Sequence, residues 1–179
     1  ETLKGQSSLF YECDVSSDQS IKDAFAQIEE EVGTIHGVAH CIAFAERDDL
    51  KGEFVDTSRD GFLLAHNISA YSLVGVTRAA KPLMTEGGSI LTLTYLGGER
   101  VVQNYNIMGV AKASLDASMK YLANDLGKDN IRVNAISAGP IRTLSAKGVG
   151  DFNSILNEIE KKAPLRRTVT QEEVGSSAY

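Results

Sequence analysis

Tryptophan is absent from this chain of 179 residues, cysteine occurs twice and proline three times. Cys13 and Cys41 are too few and too far apart for a disulfide framework or a zinc knuckle. Thiols set within apolar segments suit a reducing compartment and so a cytoplasmic protein. Positive charge is also in deficit. Lys and Arg number 18 against 24 Asp and Glu, a formal charge of −6, which excludes a nucleic-acid binder acting through bulk positive charge. Long hydrophobic runs are missing: GVAHCIAFA at 37–45 is about half of the ~18 residues that cross a bilayer, so no membrane association is expected. Internal repeats, low-complexity tracts and linkers are lacking as well. His36, His40 and His66 show no ligand spacing, so no metal centre is expected. What remains is ordinary globular material, 42% hydrophobic and 23% charged, long enough to bury a core as one domain over 1–179.

Short apolar runs alternate with amphipathic stretches. Residues 8–13 (SLFYEC) read as a strand. From 17 to 32, Ile21, Phe25, Ile28 and Val32 follow the helical period and Gly33 ends the run. The apolar segment 37–45 suits a parallel strand covered on both faces. Thr57-Ser58 can cap a long helix reaching about Met84, and SILTLTY at 89–95 is another strand. A loop, LGGERVVQN, opens onto a helix over 105–126, followed by IRVNAI at 131–136 and a shorter helix, DFNSILNEIEKK. Thr170 with Glu173 marks a further helix start. The order β-α-β-α-β-α-β implies right-handed crossovers and an α/β fold, a doubly wound parallel sheet. The chain opens at Glu1 without Met and stops within the last helix, so it reads as a fragment lacking the first strands and the last one.

Ligands of such sheets sit outside the carboxyl ends of the strands, which directs attention to Asp14-Val15, 43–47, 94–104 and 137–150. Tyr105 and Lys112 are seven residues apart on one predicted helix. Two turns bring them to nearly the same face, about 10.5 Å along the axis. A lysine near a phenol can lower its pKa and favour proton donation. Tyr95 closes a strand at the same edge, and SAGPIRTLSAKG supplies a strand-end loop with hydroxyls and backbone donors for phosphate. Taken singly, the Tyr105–Lys112 pair and the loop read better as ordinary structure, and Tyr95 reads equally well as such.

Together they are specific. TYLGGERVVQNYNIMGVAKASLDASMKYLANDLG followed by NIRVNAISAGPIRTLSAKG resembles the bacterial enoyl-[acyl-carrier-protein] reductases of the short-chain dehydrogenase/reductase superfamily. HCIAFA, DGFLLAHNISAYSL and APLRR extend the resemblance over essentially the whole chain. Most of that superfamily carries Lys four residues after the catalytic Tyr, where this chain has Gly109, and a Ser at the preceding strand end, where it has Thr94-Tyr95.

The resemblance implies a Rossmann-type fold and reduction of trans-2-enoyl thioesters by hydride from NADH or NADPH in fatty-acid elongation. The substrate would be carried on acyl carrier protein, and the enzyme would be a homotetramer. Tyr105 would stabilise the enolate, Lys112 would hold the nicotinamide ribose, and Tyr95 would stand near the acyl chain. Asp14 and Val15 would meet the adenine, and Ile42 would line the cofactor path. Ile141, Arg142, Thr143, Leu144 and Ser145 would contact nicotinamide and phosphates. Ala45 would touch substrate, and a lid would run over 144–150 into Phe152 and Ile155. Residues that decide between NADH and NADPH would lie upstream of Glu1. The alternatives are a ketoacyl reductase of the same superfamily, which Gly109 and Thr94-Tyr95 disfavour, and a non-catalytic sensor or scaffold on the same fold.

Overall fold

The computed structural model describes residue 7 and residues 9–141 and 152–179, with the side chains of 152, 153 and 155 excepted. Helix α1 spans Asp18–Glu31, opened by Ser17, whose Oγ accepts from the Ser20 amide. Gly33 closes it at φ +76, a left-handed conformation that glycine adopts without a Cβ penalty. Strand β1 is Gly37–His40. A long helical run then begins behind the Ser58 cap: α2 (Arg59–His66), a π-helical turn (Asn67–Tyr71) and α3 (Ser72–Ala80). Strand β2 (Gly88–Thr94), helix α4 (Asn106–Leu126) and strand β3 (Ile131–Ser137) follow. Helices α5 (Phe152–Lys162) and α6 (Gln171–Ala178) end the chain. The expected Thr170/Glu173 capping box is formed in both directions.

The strands make a parallel sheet in the order β1-β2-β3, with β2 bonded on both sides. Two successive right-handed crossovers in one direction place their helices on the same face. Leu73 of α3, Ile90 of β2, Leu115 of α4 and Val133 of β3 accordingly share one buried cluster. On the opposite face Ala39, Arg132 and Asn134 are exposed among the described residues.

Two expectations need correcting. The run 9–13 forms no strand. A strand persists only as a partner in a ladder, and here Leu9 and Phe10 are exposed instead. Segment 37–45 pairs only through His40, so the strand is shorter than its apolar run. Both cysteines are free thiols, as expected, and both are exposed. No helix among the described residues is long and apolar enough to cross a membrane.

Leu115 is completely buried where α4 meets the sheet. Leu115→Ala should therefore cost about 2–5 kcal/mol in urea unfolding, whereas fully exposed Val101→Ala should stay within about 0.5 kcal/mol.

Candidate active site

The carboxyl end of β2 gathers the candidate side chains. Tyr95 follows the strand directly in extended backbone and leads into the 3₁₀ turn Leu96–Gly98. Tyr105 stands at the N-cap of α4 rather than inside it, with φ −120 and ψ −20. Its ring meets that of Tyr95 edge-on, centroids 5.1 Å apart and planes at 76°, a favourable aromatic geometry. Tyr105 and Ala45 both pack on a second apolar cluster formed by Leu50, Ala65, Ile107, Met108 and Ala111. Asn106 secures this corner by donating its Nδ2 to the carbonyls of Lys51 (3.2 Å) and Gly52 (3.1 Å).

Lys112 is not the solvated lysine that its position on a helix would suggest. It is buried, 6% exposed, and its Nζ donates to the Leu93 carbonyl at 2.7 Å. Burial lowers its pKa, opposed by the charges of Asp116 and Cys41. The expected lowering of the Tyr105 phenol does not occur. Burial, and next the neighbouring Tyr95, push it well above the ordinary range, so desolvation outweighs any help from the lysine. A protonated phenol at neutral pH is the result.

Sequence reading missed a set of groups behind the site. Ser69, in the π turn, accepts from the Phe44 amide and donates to the Phe44 carbonyl, both at 2.9 Å. That clamp holds the segment carrying Ile42 and Ala45, both half-buried, after the ladder has ended at His40. His40 is itself buried, 2% exposed. Ser72 Oγ donates to the Ile68 carbonyl (2.6 Å) and so accepts from His40 Nε2 at 2.8 Å. With its Nε2 proton so used, neutral His40 has an acceptor at Nδ1, 3.0 Å from the Thr92 hydroxyl, whose one proton is shared with the His40 carbonyl at 3.2 Å. The imidazole is neutral in this chain of bonds, and burial, with the charge of Lys112 second, lowers its pKa to about 4. Ser69 and Ser72 carried no signal, since the irregular turn that holds the one and leads into the other has no periodicity of its own.

The remaining sites are dispersed. Asp14 lies in the turn before α1, its carboxylate accepting from the Ser16 amide (2.9 Å) and hydroxyl (2.7 Å), which lowers its pKa. Val15 beside it and Ile141 beyond β3 are half-buried. Arg142, Thr143, Leu144 and Ser145, and the lid expected over 144–150, fall outside the described residues, as do the side chains of Phe152 and Ile155.

A parallel α/β sheet with a tyrosine pair and a buried lysine at one strand end defines a nucleotide-dependent oxidoreductase of the short-chain dehydrogenase/reductase type. The family model "Enoyl-(Acyl carrier protein) reductase" matches residues 1–179. The NADH-dependent enoyl-[acyl-carrier-protein] reductase of Bacillus cereus is 77% identical over 178 residues, covering 99% of this chain and 70% of the relative. The NADPH-dependent enzyme of Staphylococcus aureus is 64% identical over 178 residues, with 99% and 70% covered. A crystal structure of the Bacillus cereus enzyme with NADP+ and indole naphthyridinone superposes with a TM-score of 0.95 at 77% identity, covering 99% of this chain and 69% of that one. The chain belongs to the enoyl-[acyl-carrier-protein] reductase family. Its activity is NADH- or NADPH-dependent enoyl reduction in fatty-acid synthesis.

Because folding disfavours the protonated form of His40, the unfolded chain takes up a proton first as pH falls. Stability should therefore be lost between the ordinary histidine value of 6.5 and about 4. His40→Asn should flatten that part of the curve in denaturant titrations across pH, while lowering stability at neutral pH.

Proposed function

We propose that Tyr105 stabilises the enolate formed as a trans-2-enoyl thioester is reduced, that Lys112 holds the dinucleotide, and that Tyr95 places the acyl chain. The observation carrying this reading is the edge-on Tyr95–Tyr105 pair at the strand end against which Lys112 is buried. When bound, the nicotinamide supplies the hydride. Everything else falls to the protein. A phenol whose pKa is raised by burial keeps its proton at neutral pH, so Tyr105 can donate to the thioester oxygen as negative charge develops there. Such a preorganised donor is strongest in the transition state, where the charge is largest.

The residues present fit a dinucleotide. An ammonium has three N–H groups, and Lys112 donates one of them to Leu93, which leaves two for ribose hydroxyls. Thr94 Oγ1 is buried at the same strand end without a hydrogen-bond partner. In this reading Asp14 and Val15 face the adenine, and Ile42 and Ile141 line the cofactor path. Residues 142–145 serve nicotinamide and phosphates, and Ala45 touches substrate. The substrate is the enoyl group carried on acyl carrier protein. Residues 1–179 belong to one Rossmann-type domain, and the enzyme works in the cytoplasm. Exposed apolar side chains on the helices, among them Leu63, Val110 and Tyr121, support a homotetramer with 222 symmetry.

Activity is read as loss of reduced-cofactor absorbance with a crotonyl thioester in the full chain, and turnover of a β-ketoacyl thioester instead would overturn the assignment. Tyr105→Phe should lower kcat by about 10²–10³ with cofactor affinity nearly unchanged. Lys112→Ala should weaken cofactor binding and turnover together, and Lys112→Arg should recover part of both. The opposite division of effects would reverse the two roles. For assembly, light scattering at micromolar concentration should give four times the protomer mass, and a monomer would contradict the tetramer.

A further inference from the structure

Three glycines allow the Leu96–Gly98 turn to lie directly on α4. A Cβ added to Gly109 would sit 2.7 Å from the Gly97 carbonyl oxygen. One on Gly97 would sit 2.5 Å from Cδ1 and 2.7 Å from Cε1 of Tyr105, and one on Gly98 would sit 2.9 Å from the Ala113 amide nitrogen. Real Cβ atoms essentially never come within 3.0 Å of another group. The obstacles here are backbone and a packed ring, not the flexible end of a side chain. The turn therefore holds its place only while positions 97, 98 and 109 carry no side chain.

Tyr105 depends on that turn. Its backbone is at the N-cap, outside regular helix geometry, so its ring direction comes from what packs on it. Gly97 lies against the ring, and the Tyr95 ring meets it edge-on. A methyl at 109 would lift the Gly97 carbonyl from the helix and move this seat. A methyl at 97 would displace the ring itself. The same geometry bars a lysine from the position four residues after Tyr105, since its Cβ would already collide with Gly97.

We propose that Gly97 and Gly109 are positioning residues for catalysis: by letting the turn touch α4 they fix where the Tyr105 hydroxyl is presented. The inference rests on the role assigned to Tyr105 above. Displacing a catalytic group by about 1 Å can cost about 10²-fold in rate, so the lock is where small backbone changes are felt.

The test compares Gly97→Ala and Gly109→Ala with a control, Gly127→Ala, in the full chain. Gly127 has φ −56 and nothing within 4 Å of an added Cβ. With a crotonyl thioester, both lock variants should lose about 10–100-fold in kcat while KM for the reduced cofactor stays within about threefold, and the control should match the parent. The double variant Gly109→Ala with Tyr105→Phe should be no slower than Tyr105→Phe alone, because the glycine acts only through the hydroxyl. Fully additive losses would overturn the positioning role while leaving Tyr105 in place. Wild-type kcat in both lock variants, or loss of their cooperative melting transition, would also overturn it. Wild-type kcat in Tyr105→Phe would instead remove the parent reading.

Discussion

A buried ammonium must be given acceptors or it gives up its proton, and the structure around Lys112 is arranged under that constraint. The acceptor is the carbonyl of Leu93, the next-to-last residue of the central strand. This bond ties α4 to β2 at the level where the ladder runs out, so the helix cannot slide along the sheet without stranding a charge. The apolar packing of Leu115 and Ile107 on either side makes the same docking favourable over a larger area. Hydrophobic burial chooses the face of α4, and the lysine fixes its register. The tyrosine at the head of the helix inherits its position from both.

The neutral His40 belongs to the same constraint. A second positive charge beside Lys112 would raise the cost of burying the first, and burial keeps the imidazole neutral between the Thr92 and Ser72 hydroxyls. One cation at the strand end is what the surroundings can carry.

Local signals in the sequence mapped faithfully onto local structure. The apolar period of α1, the Gly33 stop and the Thr170/Glu173 box all appear as expected, because each is decided within a few residues. The tyrosine and lysine candidates were legible through their joint spacing with the flanking segments. Length of β1 was not legible: GVAHCIAFA is apolar throughout, and hydrophobicity does not say where one backbone partner is exchanged for another, here the ladder for Ser69. The His40 chain was hidden for a different reason, since its partners lie 32 and 52 residues away. Tyr105 at a cap rather than within the helix reflects the turn at 96–98, whose approach only the assembled fold reveals.

The π turn between α2 and α3 makes the interval from Ala65 to Ala70 serve as a single turn, so both residues are buried along with Leu73 and Ala80. The run is thus two helices in different phase, joined without a break in hydrogen bonding. Removing one residue there would regularise the backbone yet rotate everything before it by about 100°. Ala65 would leave the cluster shared with Tyr105, and the exposed side of Phe62 and Leu63 would swing toward the interior. In this stretch the residue count is fixed by rotation alone.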